Sequence, residues 1–278
     1  MKIYLALFIT VCYILLKKCI AEGLNMEDFR EILIKNNWFK EQELEELFKD
    51  GSILNCINEC TSPNKKEKIF SAFIGLKPQD VKVLIIGQDP YPDEDRADGL
   101  AFSFGNNESA KDSLKNIFDR LKEFGIDNKN TKLTKWRTNG VLLLNSALTF
   151  CKVKEKNRQE KSKEIHLRAW TPFVKKVIEK LVYTRENKPL VIMLFGKNAN
   201  LLEMFDDDSK DKELLKNNIC IIRTSHPSNL GGAKNYCGNY AKLQNNVKAF
   251  MCECNNPFKK CNDFFEQKGL PIINWSTD

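Results

Sequence analysis

Four runs of consecutive apolar residues stand out along the chain: Val81 to Ile86, Val141 to Leu144, Leu190 to Leu194 and Ile219 to Ile222. Most are rich in β-branched side chains and lack the alternation of a half-wet sheet, so each reads as a strand buried on both faces. Between them apolar residues recur every three or four positions, most clearly over Ser113 to Phe124 and Leu167 to Leu181, which predicts helices with one apolar stripe. Shorter helices are predicted over Met26 to Asn36, Glu41 to Lys49 and Glu67 to Phe73. Strands alternating with helices specify an α/β fold, a three-layer domain with a central, mostly parallel four-stranded sheet flanked by helices. With no internal repeat and no low-complexity linker, one domain is expected over residues 26–278.

Each predicted strand runs directly into an unusual polar segment. These are GQDPYP at Gly87 to Pro92, NSALT at Asn145 to Thr149, FGKNAN at Phe195 to Asn200 and SHPSNLGG at Ser225 to Gly232. In an open parallel sheet, ligands bind in the crevice beyond the carboxyl ends of the strands. The four segments are therefore expected to meet at one site, whose ligand the fold rule does not name.

The residues before Met26 form a separate problem. Ile3 to Leu16 are almost wholly apolar and are followed by Lys17 and Lys18, a length suited to a signal-peptide core and short for a membrane span. A targeting signal, a short anchor and a misassigned start upstream of Met26 are the three readings open, and residues 1–25 are set outside the fold in each. A net charge of +7 over 278 residues, from 44 Lys and Arg against 37 Asp and Glu, permits a polyanionic partner without specifying one. The Lys-rich stretch from Lys152 to Lys163 reads as an ordinary solvated loop or helix face. The ten cysteines contain no CxxC pair, so reduced structural thiols are preferred to a zinc site, including for the cluster from Cys237 to Cys261.

Within the first segment Asp89 follows a Gln and precedes a Tyr held between Pro90 and Pro92. An Asp beside Pro commonly caps a turn; a preorganised carboxylate at a crevice floor explains the Gln and Tyr as well. His226, one of two histidines, sits past the last strand, on the same crevice as Asp89, which favours chemistry over a structural role. His166 lies in a helix-like stretch and is read as structural. No metal-ligand constellation accompanies either histidine.

GQDPYP, GLAFS at Gly99 to Ser103, LLLN at Leu142 to Asn145 and HPSNL at His226 to Leu230, in this order, strongly resemble the main family of uracil-DNA glycosylases. The resemblance runs from Lys77 to the closing PIINW at Pro271 to Trp275. It implies hydrolysis of the bond between uracil and deoxyribose. Asp89 would orient the water and steady the cationic sugar, and a neutral His226 would stabilise the departing uracil anion. Asn145 would read uracil O4 and N3–H, a pattern that cytosine reverses. Tyr91 would stand where thymine carries its methyl group, Phe102 would stack on the base and Gln88 would line the pocket. Leu230 would fill the gap left by the extruded nucleotide, with Ser113, Ser228, Gly196, Lys197 and Lys234 on the phosphates. The implied partner is uracil-containing DNA, single- or double-stranded, met by a monomer without a stable membrane partner. That places it inside a cell, in the cytoplasm, nucleus or an organelle holding DNA. No cofactor is required by anything in the sequence.

The chain departs from the family pattern at several points. Pro92 replaces a histidine and Asn229 a proline, and Asn106 to Ser113 has two acids where the family has a proline-rich phosphate loop. Ala169-Trp170-Thr171 replaces Gly-Trp-Glu, and Tyr240 to Asn256 is longer than the usual connection. A change of rate rather than a loss of activity is expected from Pro92. A binding protein without turnover and a broader mismatch glycosylase are the rival readings; Asp89 and His226 oppose the first, Tyr91 the second.

Overall fold

A computed structural model describes residues 26–63, 65–93, 95–105, 109–195, 218–224, 226–228 and 256–278. Three helices come first, α1 (Met26–Lys35), α2 (Glu41–Phe48) and α3 (Ser52–Glu59). The sheet elements follow as β1 (Val83–Gly87), α4 (Asp112–Lys122), α5 (Thr134–Thr138), β2 (Val141–Asn145), α6 (Lys156–Tyr183), β3 (Leu190–Phe195), β4 (Ile219–Thr224) and α7 (Pro257–Glu266). The strands pair in the order β2-β1-β3-β4, every pair parallel. Among the described residues the sheet is thus wholly rather than mostly parallel.

Successive side chains of a strand point to opposite faces, and the two faces build two cores. Leu84, Ile86, Leu142, Leu144, Ile192 and Leu194 pack with Trp38, Phe70, Phe73, Trp170 and Phe173 from the turn after α1, the segment before β1 and α6. Val83, Ile85, Leu143, Val191, Met193 and Ile222 pack with Leu114, Phe118, Trp136, Phe258 and Trp275 on the other side. The absence of alternation in the strand sequences follows from this double burial.

Helix boundaries differ from expectation where tertiary contacts decide them. Over Glu67 to Phe73 the chain forms two 3₁₀ turns, Lys66–Lys68 and Ser71–Phe73, instead of one α-helix. Lys68 O approaches Gly99 so closely that a Cβ there would lie 1.7 Å away, and Ser71 O accepts from Arg137 Nη1 at 2.7 Å. Carbonyls turned to these partners leave the i+4 ladder. Helix α6 begins eleven residues before the predicted Leu167, in the Lys-rich stretch. Ion pairs between Arg158 and Glu155, Lys163 and Glu160, and Arg168 and Glu164 lie along its surface. They support helix without an apolar stripe. None of the described helices is long and apolar enough to cross a membrane.

Candidate active site

A cavity of about 230 Å³ opens at the carboxyl ends of β1 and β2 and is lined by Gln88, Asp89, Tyr91, Pro92, Phe102, Ser113, Asn145 and His226, among others. Gly87 ends β1 opposite Asn145, which ends β2. A Cβ on residue 87 would lie 2.5 Å from Asn145 Oδ1 and 3.2 Å from the Phe102 ring. Glycine is therefore required for Asn145 and Phe102 to close over the strand end. The turn after Gly87 is bonded to the turn after Asn145: the Ser146 amide and hydroxyl both donate to Gly87 O at 3.0 Å, and the Ala147 amide donates to Gln88 O at 3.0 Å.

Asp89 is half-buried on this platform. Loss of hydration pushes its carboxyl up to about 6, against the opposing pull of Lys163 and a hydrogen bond from the Gln88 side chain, while Glu160 adds to the rise. The Lys-rich stretch, read as a solvated face, thus contributes a cation to the field at Asp89.

Tyr91 is held at several points. Ser62 Oγ donates to its carbonyl at 2.5 Å, its own hydroxyl donates to Phe102 O at 3.3 Å, and its ring meets Phe104 edge-on at 4.8 Å. Arg96 covers both rings, 5.8 Å from Tyr91 and 5.1 Å from Phe104. Phe102 has φ +66°, a left-handed conformation rare for an aromatic residue. Asp98 holds the surrounding loop by accepting from the Leu100 amide at 3.1 Å and from Ser103 Oγ at 2.6 Å. The Leu133 amide in turn donates to Ser103 Oγ at 3.0 Å, anchoring the loop before α5.

His226 closes the far side, its ring 6.0 Å from that of Phe102. Burial lowers its pKa, which favours the neutral ring. The Ser228 amide donates to Nδ1 at 3.1 Å, so in the neutral ring the proton sits on Nε2. Asn116 of α4 donates to Pro227 O at 2.6 Å and ties this loop to the helix whose first turn carries Ser113.

The structure therefore brings together Gln88, Asp89, Tyr91, Phe102, Ser113, Asn145 and His226 and sets the Ser228 amide against His226 Nδ1. Leu230, Gly196, Lys197 and Lys234 lie outside the described residues, as do Asn229 and Cys237, Cys252 and Cys254. Gly87, Asp98, Ser103 and Asn116 were not singled out from sequence; only Gly87 carried a signal, as a glycine closing a buried strand. His166 is buried away from the cavity, with Nδ1 2.7 Å from Thr149 Oγ1, which also accepts from Trp170 Nε1 at 2.7 Å.

An all-parallel α/β sheet with a carboxylate, an amide and a neutral imidazole around one cavity at the carboxyl ends of its strands has the arrangement of an open-sheet enzyme. Residues 74–251 match the model of the uracil DNA glycosylase superfamily, and the chain belongs to that family. It is 37% identical over 205 residues to the uracil-DNA glycosylase of Saccharomyces cerevisiae, a match covering 70% of this chain and 51% of the yeast protein, so the chain spans about half of that relative. It is 34% identical over 211 residues to the Streptococcus agalactiae uracil-DNA glycosylase, covering 76% and 82% of the two chains. The crystal structure of mimivirus uracil-DNA glycosylase shares the fold with a TM-score of 0.60, 23% identity and coverage of 91% and 87%.

Proposed function

We propose that this chain removes uracil from DNA by hydrolysing the N-glycosidic bond, releasing the free base and leaving an abasic site in base-excision repair. The observation that carries the reading is the convergence of Asp89, Tyr91, Phe102, Asn145 and His226 on one small cavity at the strand ends. A base reaches such a cavity only by rotating out of the helix, at a cost of a few kcal/mol in stacking and pairing. Phe102 then stacks on the base and Asn145 at the end of β2 pairs with its O4 and N3–H. Cytosine, with donor and acceptor exchanged, would leave a buried polar group unpaired. The Tyr91 ring, held by the Phe102 carbonyl, Phe104 and Arg96, fills the space beside C5 and excludes the thymine methyl group.

As the bond lengthens, the sugar gains positive charge and the base negative charge. Asp89, ionised at neutral pH, steadies the sugar and orients the water; the Nε2–H of neutral His226 donates to uracil O2 as it becomes anionic. The glycosidic electron pair leaves with the base, the water oxygen bonds to the sugar carbon, and the proton that the water gives up passes to the Asp89 carboxylate and from there to solvent, while the uracil anion takes up a proton from solvent. Ser113, in the first turn of α4, offers backbone donors and a helix-end field suited to a phosphate. Ser228 serves the same strand, and Gly196, Lys197 and Lys234 are assigned to the neighbouring phosphates and Leu230 to the wedge on resemblance.

We assign the folded unit to residues 26–278, supported by Phe29 and Leu33 at one end and Trp275 and Thr277 at the other, all buried in it. Action as a monomer, in a compartment that holds DNA, is part of the same proposal. The test is a release assay on labelled oligonucleotides carrying one uracil, thymine or cytosine, with Tyr91→Ala beside the unaltered protein. The reading predicts release of uracil alone, and measurable thymine release from Tyr91→Ala. A variant that ignores thymine would remove the steric account of Tyr91, and no uracil release by the unaltered protein would remove the function.

A further inference from the structure

A second concavity, about 690 Å³, lies at the amino ends of the strands, on the opposite edge of the sheet from the cavity. Its walls are the approaches to three strands and the C-terminal segment: Lys82 before β1, Arg137 and Gly140 before β2, Arg185 and Lys188 before β3, and Leu270 to Asn274. The five-residue span of β1 separates the two concavities by roughly 17 Å. No step of the proposed reaction uses this groove.

Four cations line it against one carboxylate, Asp80, and among the described residues none of the four is in an ion pair. Arg185 is only 4% exposed. Its Nε donates to Lys188 O at 3.0 Å and its Nη2 to Pro189 O at 2.6 Å, which pins the guanidinium, while Nη1 is buried with no hydrogen-bond partner. Carbonyl dipoles orient a guanidinium without neutralising it. Burial lowers the Arg185 pKa to about 10, so the group still carries its charge at neutral pH. Arg137 is a weaker case: Nη1 donates to Ser71 O and Nε is buried and unpartnered, but the Asp98 carboxylate is near enough to favour its charge, so Arg185 alone among the four is a buried cation without an anion in its field. A buried cation normally has an anion beside it. Leu270 and Ile272 complete the wall with large apolar side chains that are 39% and 57% exposed.

We propose that this groove binds an organic oxyanion, a phosphate or carboxylate borne on an apolar body. Arg185 and Arg137 form its floor, Lys82 and Lys188 its rim, and Leu270 and Ile272 its apolar side. With Nε and Nη2 of Arg185 held by the two carbonyls, its Nη1 is the donor left for such a group. The inference stands apart from the glycosylase reading, since neither needs the other.

The test is a titration of the full chain with phenyl phosphate, inorganic phosphate and benzoate, followed through the methyl resonances of Leu270 and Ile272. Saturable shifts with phenyl phosphate or benzoate are expected, at concentrations roughly tenfold below those needed with inorganic phosphate, because the ring adds apolar contact. Arg185→Gln should abolish them while uracil release stays unchanged. If Arg185→Gln does not fold, Lys82→Gln combined with Lys188→Gln should weaken binding several-fold. The proposal is overturned by an absence of saturation, by shifts that persist in these variants, or by shifts that in the same spectra are confined to the methyl groups of Leu100 and Leu148 at the other cavity.

Discussion

Phe102 shows how much of the site is set by single residues. Its φ of +66° costs an aromatic residue backbone strain, and the Asp98–Ser103–Leu133 hydrogen bonds hold it there. The sequence marks Phe102 only through the GLAFS motif; by pattern alone it is another core phenylalanine. Gly87 is the converse case, a position defined by what it lacks, since any side chain would displace Asn145. At Asp89 the shifted carboxyl makes a pH prediction. The ionised form is the active one, and burial raises the pKa to about 6. Cleavage under single-turnover conditions should therefore be level near neutrality and fall as pH drops through about 6, approaching tenfold per unit. The neutral form of His226 persists above its lowered pKa, so it should add no second loss on the alkaline side. A profile flat down to pH 4.5 would contradict the role given to Asp89.

At the scale of elements, the strands were legible because double burial leaves uninterrupted apolar runs, and their ends were legible because polar motifs begin there. Elements carried by other forces were not. The first eleven residues of α6 are helical through charge pairing and carry no apolar stripe. The start of helix α7 was not anticipated from sequence; the structure shows Asn256 capping it before Pro257, its side chain accepting from the Phe258 and Lys259 amides. The link between α4 and the His226 loop is invisible in sequence, because Asn116 and Pro227 are 111 positions apart. Asn116→Ala should leave the fold intact and loosen that loop. A fall in kcat of roughly five- to thirtyfold is expected, for about 1–2 kcal/mol of lost hydrogen bonding. Unchanged kcat would show that the loop is held by other contacts.

Across the whole molecule, the sheet has two working edges. Its carboxyl edge gathers the residues that the motifs point to, which is why the candidate site could be read before the structure. Its amino edge gathers Lys82, Arg137, Arg185 and Lys188 from segments without any motif, and only folding reveals them as neighbours. The net charge of +7 suits a DNA partner, yet it says nothing about which edge meets it. The reaction proposed at the carboxyl edge asks more of Asp89 than of any other group. The most direct measurement is single-turnover release of uracil from a labelled oligonucleotide in EDTA, comparing the unaltered chain with Asp89→Asn. Loss of a positioned base and of its charge predicts a rate lower by about 10²–10⁴-fold with DNA binding retained. A variant that releases uracil at nearly the full rate would contradict the account.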